Sequence, residues 1–399
     1  MSGRRFLVAA FGDAGHAFPA IALAGALRGR GHEVVVETWE RWRGAVEAEG
    51  LGFAAAEQYQ TFPPPGPGSD ELASAADAAL ALVPLIEDFE PDAVVSDVLT
   101  LAPALAAERA GVPRVTLIPH VYPVHEPGLP FFAFGTLPPR TAVGRTMWRA
   151  SLPLLTAGLR RGRRELNATR AAVGLAPLER FHGGISPELA LVATFPQLEY
   201  PRRWPEGVHV TGPMQFELPY PDIELPVGDG PLVLVAASTA QDPELRLVRT
   251  ALAALAEEPV RVLATTNRPG ASGELGQTPD NAVVVDWLSY SQVMPEADLV
   301  VCHGGHGTVA RALAASVPVL CCPHAGDMTE NGARVAWADA GLMLPWRLTH
   351  PGPLRWGVRR ILGDPGFRQR AHEIAVWHRD HNGAERGAER VERLSLESA

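Results

Sequence analysis

The chain has 399 residues, of which 46% are hydrophobic and 20% are charged, a balance typical of a globular protein with two or three domains. Its formal net charge of −10 argues against nucleic-acid binding, which depends on basic surfaces that neutralise phosphates. It contains no lysine, so catalysis through a Schiff-base lysine or a lysine-based phosphate loop is excluded.

The first part of the chain alternates apolar strands with helices, a pattern that predicts a parallel sheet covered by helices. The predicted strands span residues 6–11, 33–37, 93–96, 114–118, 189–193 and 208–212, with a short strand near Phe53. The predicted helices span residues 19–28, 41–49, 70–89, 102–110 and 145–173. Residues 12–18 are expected to form a loop, as is the proline-rich stretch 58–69.

A second α/β unit follows the proline-rich residues 216–230, which indicate a linker. It starts with predicted strands at 232–236, 260–264 and 282–285 and a helix at 243–256. After residue 351 the chain is charged and helical in pattern. We therefore expect a first domain at 1–215, a linker at 216–230, a second domain at 231–363 and a C-terminal helix at 364–399.

The three cysteines, Cys302, Cys321 and Cys322, all lie in apolar segments and lack the spacing of metal ligands. They predict buried thiols without a disulfide, which fits a reducing cytoplasm. The N-terminal residues predict a strand and not a secretion signal. The sequence contains no run of about 18 or more apolar residues, so we predict no membrane span.

Residues 298–345 are the most informative segment. A strand, Leu299–Cys302, runs directly into His303-Gly304-Gly305-His306-Gly307-Thr308, and a helix is expected at 308–315. Glycines after a strand let the backbone approach a ligand, and a helix N-terminus attracts phosphate. A second strand at 319–322 is followed by a predicted loop that carries Asp327 and Asn331. The segment therefore predicts a diphosphate site at the carboxyl edge of a parallel sheet.

The first domain carries a second pattern that suggests chemistry. His16 follows the first strand, and Asp97 ends another strand of the same predicted sheet. A histidine near neutral pH takes a proton from an alcohol when a carboxylate holds its other ring nitrogen. A loop-capping role for His16 and a helix-capping role for Asp97 are the alternative interpretations.

Both patterns resemble the inverting small-molecule glycosyltransferases of the GT-B fold, which include the antibiotic-modifying enzymes of actinomycetes. The match consists of Gly15-His16-Ala17-Phe18-Pro19 after the first strand and of the HGG-x-GT motif with Asp327 and Asn331 behind it. The resemblance implies an α/β architecture of two Rossmann-like doubly wound domains facing a cleft, with a C-terminal helix that crosses back to the first domain. It implies that His16 is the general base and that Asp97 orients it.

The same resemblance implies a donor site for a nucleotide sugar, with Trp287 stacking on the base unless it is a core residue. The implied donor-binding residues are Ser238, Thr239, Trp287, His303, Gly305, Gly307, Thr308, Asp327, Met328 and Asn331. Chemistry of this kind needs no metal or other cofactor, and we predict no metal site.

Three departures from the family pattern concern the donor. Met328 stands where family members often have a glutamine that holds sugar hydroxyls, which favours a deoxysugar. Arg311, eight residues after His303, replaces a glutamate that commonly binds the ribose, which favours dTDP over UDP. Ser289-Tyr290 replaces a common Pro-Gln or Pro-His pair, and the sequence offers no reason for that change.

The acceptor site is the least determined. Residues 119–141 are rich in proline and aromatic residues, which either line an acceptor pocket or pack helices onto the sheet. The candidate acceptor-binding residues are Phe62, Tyr122, Phe131, Phe132 and Phe134.

These observations predict an inverting glycosyltransferase of antibiotic biosynthesis that moves a sugar or deoxysugar from a dTDP-linked donor to a hydroxyl of a hydrophobic natural product of the polyketide, enediyne or macrolide type. Its partners would be these two small molecules, with no nucleic acid or membrane, and its oligomeric state, monomer or homodimer, is open. One alternative is a sugar-nucleotide 2-epimerase of the same fold, which would not need an apolar acceptor pocket. The other is a non-catalytic helper of another glycosyltransferase, which would be expected to lose the base, yet His16 and His303 are both present.

Overall fold

The computed structural model describes residues 3–56, 74–179, 184–220, 222–238 and 242–397. Its centre is two sheets whose paired strands are all parallel, a seven-stranded sheet of order β3-β2-β1-β4-β5-β6-β7 and a six-stranded sheet of order β10-β9-β8-β11-β12-β13. The first sheet is formed by β1 (Arg5–Ala9), β2 (Glu33–Thr38), β3 (Gly52–Ala55), β4 (Ala93–Asp97), β5 (Arg114–Ile118), β6 (Leu189–Val192) and β7 (Val208–Val210). The second is formed by β8 (Leu232–Ala236), β9 (Arg261–Thr265), β10 (Ala282–Val285), β11 (Leu299–Cys302), β12 (Val319–Cys321) and β13 (Gly341–Met343).

Helices cover both sheets. In chain order they are α1 (Ala14–Gly29), α2 (Arg43–Ala48), α3 (Ala75–Phe89), α4 (Leu101–Ala110), α5 (Ala142–Ala150), α6 (Leu152–Ala172), α7 (Arg246–Leu255), α8 (Tyr290–Val293), α9 (His306–Ala314), α10 (Asp327–Trp337), α11 (Pro351–Leu362), α12 (Pro365–Arg379) and α13 (Gly383–Glu397). The central strands β4, β8 and β11 are buried along their whole length. Strands buried on both faces read as continuous apolar runs, which is why the sequence pattern located them.

The predicted loop at 12–18 is wrong, because α1 begins at Ala14 and includes His16 in its first turn. The backbone N–H groups of His16 and Ala17 donate to the carbonyl of Asp13 at 2.9 and 2.8 Å, which closes a helical turn before Pro19. A proline is favoured at the first helical position. Here Pro19 lies inside the helix.

The C-terminal helix predicted at 364–399 is two helices, α12 and α13, separated near His381. α13 returns to the first sheet, where Ala384, Ala388 and Val391 are buried in the same apolar core as β1 and α1. The chain between β7 and β8 contains no helix or strand among its described residues, 211–220 and 222–231. The domain boundaries themselves stay a prediction.

The two halves share a buried interface. The guanidinium of Arg334 on α10 is 2% exposed, and it contacts Glu199 of the first half at 3.0 Å and Glu330 of its own helix at 2.8 Å. It also lies over the ring of Tyr200, 3.6 Å from the ring centroid. Breaking a buried ion pair by removing one partner is costly, so this network fixes α10 against the first half.

All three cysteines are buried and free, as predicted. Within the described part of the chain, no helix has the length and apolar character needed to cross a membrane.

Candidate active site

The carboxyl edges of the two sheets meet at the interface of the two halves. His306, the first residue of α9, places its Nε2 3.2 Å from the carbonyl oxygen of Ala193, which follows β6. Residues that follow strands of both sheets therefore line one cleft, the place where open α/β sheets bind ligands.

His16 and Asp97 form a hydrogen-bonded pair in this cleft. The Nδ1 of His16 lies 2.9 Å from Oδ1 of Asp97, whose side chain is completely buried. The backbone N–H of Phe11 donates to the other carboxylate oxygen at 3.3 Å. Asp97 does not cap α4, whose N-cap is Thr100. Because the carboxylate accepts from Nδ1–H, the Nε2 of His16 is left as the proton acceptor.

The electrostatics of the pair suit a base. Burial lowers the pKa of His16, but the charge and hydrogen bond of Asp97 raise it, and the net pKa lies above the ordinary value. Asp327 and Asp13 contribute in the same direction. Protonated His16 is therefore stabilised, as a base that receives a proton in the transition state requires.

His120, which sequence reasoning missed, stands beside the pair. Its ring lies 6.1 Å from that of His16 in an edge-to-face arrangement and 5.8 Å from the ring of Phe132. Its Nδ1 lies 2.8 Å from the carbonyl of Val121, so this nitrogen carries the proton. Burial and the charge of His16 lower the pKa of His120, so it stays neutral. His120 follows β5, and the strand-end signal that found His16 and Asp97 applied to it equally.

The glycine-rich turn shapes the opposite side of the cleft. Gly304 has a φ of 84°, a left-handed conformation that favours glycine, and a Cβ there would approach the carbonyl of Met328 within 2.8 Å. At Gly305 a Cβ would collide with Nε2 of His303. The turn thus packs the His303 ring against bare backbone at the N-terminus of α9.

His303 and His306 are both neutral in this environment. Burial lowers the pKa of His303, an effect only partly offset by the Ala236 carbonyl and nearby carboxylates. Its Nδ1 is buried and has no hydrogen-bond partner in the described part of the chain. Burial, together with the proximity of the His120 imidazole, lowers the pKa of His306 to about 4. His306 was not among the predicted site residues, and it joins the two halves.

The loop predicted around Asp327 and Asn331 is instead the start of α10, with Gly326 as its N-cap. Asp327 is half-buried in the first turn. Its charge raises the pKa of both His16 and His303, so it faces the cleft from the second half. Asn331 is 1% exposed, and its amide donates to the Gly304 carbonyl at 3.0 Å. It supports the turn, and a direct donor contact by Asn331 stays a prediction.

The remaining predicted donor-binding residues follow strands β8, β10 and β11, and one of them contacts the linker. Trp287 follows β10 and stacks parallel to Tyr220, with ring centroids 5.9 Å apart. Ser238 is buried two residues after the end of β8. Gly307 and Thr308 are half-buried in the first turn of α9. Thr239 falls outside the described residues.

The predicted acceptor residues separate into groups. Tyr122 is 4% exposed and packs beneath Trp204, so it belongs to the core. Phe132 lies against His120 at the cleft. Phe131 and Phe134 stack edge-to-face with each other and with Trp148. Phe62 falls outside the described residues.

No group of three or more His, Cys, Asp or Glu side chains is placed to hold a metal ion in the described part of the chain.

Comparison with known proteins identifies the class. Residues 6–118 match the Glycosyltransferase family 28 N-terminal domain, and residues 247–385 match the Erythromycin biosynthesis protein CIII-like, C-terminal domain. CalG4, the calicheamicin glycosyltransferase, superposes with a TM-score of 0.78 at 22% identity over 100% of both chains. VinC, a glycosyltransferase solved in complex with dTDP, superposes with a TM-score of 0.72 at 21% identity over 98% of this chain and 100% of its own. The protein is thus a glycosyltransferase of the GT-B fold, and the expected fold class is confirmed.

The curated relatives narrow this to a family. The 4'-demethylrebeccamycin synthase of Lentzea aerocolonigenes is 31% identical over 93% of this chain and 95% of its own length. The O-mycaminosyltylonolide 6-deoxyallosyltransferase of Streptomyces fradiae is 30% identical over 96% of this chain and 95% of its own. The chain belongs to the family of actinomycete antibiotic glycosyltransferases. The epimerase and helper alternatives are not favoured.

Proposed function

We propose that this enzyme transfers a deoxysugar from a dTDP-linked donor to a hydroxyl of a hydrophobic natural-product aglycone, with inversion at the anomeric carbon and His16 as general base. The observation that carries this proposal is the pairing of His16 with the buried Asp97, in a cleft that Asp327 faces from the second half. The paired histidine provides a base for the acceptor, and the facing carboxylate a hydrogen-bond acceptor for sugar hydroxyls.

The reaction is a single displacement. The acceptor hydroxyl donates to Nε2 of His16 and attacks the anomeric carbon while the bond to the diphosphate oxygen breaks. The hydroxyl proton passes to His16, and the electron pair of the broken bond leaves with the nucleoside diphosphate. The imidazolium is stabilised by Asp97, 2.9 Å from its other nitrogen. The transition state has oxocarbenium character, as in glycosidases.

The leaving diphosphate gains negative charge, which the start of α9 is arranged to accept. The first N–H groups of a helix and its dipole attract phosphate. His303, neutral and with a buried unpartnered Nδ1, adds a side chain to that site. The proposal needs no metal ion, because helix and imidazole perform the task that a cation would otherwise have.

Two residues support the donor assignment. Met328, next to Asp327 at the start of α10, presents a thioether where a glutamine would contact a sugar hydroxyl, which suits a deoxysugar. Arg311 offers no carboxylate to a ribose 2′-hydroxyl, so the site gains little from UDP over dTDP. The dTDP bound to VinC and the deoxysugar in the name of the Streptomyces fradiae relative support this choice by similarity.

The test compares wild type with His16→Ala and with His209→Ala, a control for a histidine on β7 outside the cleft. Each protein is incubated with a dTDP-deoxysugar and a panel of hydroxylated aromatic and polyketide acceptors. Products are detected by mass spectrometry, and the anomeric configuration is read by NMR. We expect inverted product from wild type and control, and a loss of about 100-fold or more in His16→Ala with dTDP binding retained. Normal turnover by His16→Ala, or a product with retained configuration, would refute the mechanism.

A further inference from the structure

The linker is attached to the donor half at its first residues. The guanidinium of Arg311, on α9, donates through Nη2 to the carbonyl of Phe216. The carboxylate of Glu217 accepts from the backbone N–H of Tyr290 at 2.6 Å, from Ser289 Oγ at 3.1 Å and from the N–H of Ser291 at 3.2 Å. The first residues of the linker are therefore hydrogen-bonded to α9 and to the start of α8 in the second half.

These contacts account for two departures from the family pattern. Arg311, where relatives of this type commonly carry a ribose-binding carboxylate, is half-buried and directed at the linker. Ser289 and Tyr290 provide donors for Glu217 at the start of α8. A proline at 289, as in the common family pair, would lack the hydroxyl that donates to Glu217 at 3.1 Å, whereas the backbone N–H groups of residues 290 and 291 do not depend on the side chain. Both substitutions hold the same short segment of linker in place.

The segment held in this way carries Tyr220 to Trp287. The two rings are parallel within 3°, and their centroids are 5.9 Å apart. Both side chains are half-buried, and each comes from a different part of the chain, one from the linker and one from the end of β10. Trp287 lies where the resemblance places the nucleobase, so Tyr220 lies against that site as well.

We infer that Tyr220 forms the second wall of the nucleobase site, so that the base of the donor is held between Trp287 and the linker. The inference rests on the proposed nucleotide-sugar donor. A base between two rings needs about 7 Å, two van der Waals separations of about 3.5 Å. The ring centroids are 5.9 Å apart, and the spacing of two parallel planes cannot exceed their centroid distance, so Tyr220 must shift outward by at least about 1 Å.

This arrangement has a specific consequence for recognition. Stacking on aromatic rings accepts any base, because every base has a π-face. The two rings therefore contribute affinity for the nucleoside, while the phosphates are held separately at the start of α9. A change at Tyr220 should weaken the binding of a nucleoside diphosphate and leave the binding of a ligand without a base unaffected.

The test measures binding of dTDP and of pyrophosphate by calorimetry to wild type, Tyr220→Ala and Tyr220→Phe. Val227→Ala is the matched control, because Val227 lies in the same linker and is 98% exposed. We expect Tyr220→Ala to weaken dTDP by about 5- to 150-fold, as loss of a stacked ring does. Tyr220→Phe and Val227→Ala should stay within about twofold of wild type, and pyrophosphate should bind all four proteins equally.

A double-mutant cycle separates stacking from a structural effect. In a Trp287→Ala background, Tyr220→Ala should cost at most a few fold, because the base has already lost one side of the sandwich. Unchanged or tighter dTDP binding by Tyr220→Ala overturns the inference, as does an equal loss of pyrophosphate affinity. If wild type binds pyrophosphate but no nucleoside diphosphate, the proposed donor is wrong, an outcome distinct from a failure at Tyr220 alone.

Discussion

Replacing Asp97 with asparagine tests the catalytic pair with almost no change of shape. Asp97 is 1% exposed, and two donors point at it, Nδ1–H of His16 and the N–H of Phe11. An asparagine has a single acceptor oxygen, so one donor loses its partner or the His16 ring adopts the other tautomer. In that tautomer Nε2 carries a proton and cannot accept one from the acceptor hydroxyl.

The magnitude follows from the geometry. With Nδ1 and Oδ1 2.9 Å apart, the centres of the two charges are about 4 Å apart, and such charges near a protein surface interact by about 4 kcal/mol. That energy stabilises the imidazolium of the transition state and is lost in Asp97→Asn. Loss of general-base function costs about 100- to 10,000-fold in rate, or about 2.7 to 5.4 kcal/mol. The two estimates overlap, so we expect kcat to fall within that range.

The pH dependence gives a second readout. The Asp97 carboxylate raises the pKa of His16, although burial acts in the opposite direction. Activity needs neutral His16, so wild-type kcat/KM should fall as the pH drops through this raised pKa. In Asp97→Asn the raising charge is gone, and the acid limb should move to lower pH while the plateau falls. Rates are measured from about pH 5 to 9 at saturating donor, with dTDP affinity by calorimetry as the control. If Asp97→Asn kept a plateau as high as that of wild type, or if its acid limb did not move, the assigned roles would be refuted.

Three further predictions concern the donor side and the interface. Gly305→Ala should weaken dTDP binding at least about tenfold, because its Cβ collides with the neighbouring histidine. In Gly307→Ala the Cβ meets only the flexible end of an arginine at 3.4 Å, so dTDP binding should persist. Calorimetry on both variants measures this difference. Arg334→Met should lower the free energy of unfolding in urea by about 3–5 kcal/mol, since it strands two buried glutamates, and the exposed-pair control Arg161→Met by less than about 1 kcal/mol. Equal losses would contradict the buried network. Met328→Gln should raise kcat/KM for dTDP-glucose relative to a dTDP-deoxysugar by about 10- to 100-fold, and an unchanged ratio would remove the deoxysugar argument.

The sequence by itself determined most strands of the two sheets and two polar residues at the carboxyl edge of the first. Central strands of a parallel sheet are continuous apolar runs, so Leu232–Ala236 and Leu299–Cys302 were located to the residue. His16 and Asp97 are 81 residues apart in the chain, yet each lies at the end of a strand, and parallel strands present their ends along one edge. That rule predicts that the two side chains meet, and the structure places Nδ1 and Oδ1 2.9 Å apart.

Helix starts were less accessible, because they depend on which N–H finds an acceptor. The carbonyl of Asp13 accepts from two residues of α1, so the helix includes His16. α10 likewise begins at Asp327. By local propensity alone, these positions are equally compatible with a loop and with a helix. The surrounding contacts that select the helix are not visible in the local sequence pattern.

Only the tertiary structure decided what meets across the interface and along the linker. His306 reaches Ala193 over 113 residues of chain, Arg334 reaches Glu199 over 135, and Arg311 reaches Phe216 over 95. None of these pairs follows from a helical or strand period, because periodicity orients a side chain only relative to its own element. Which surface it meets is set by how two finished halves pack, and that packing placed His120 beside the base and Tyr220 beside Trp287.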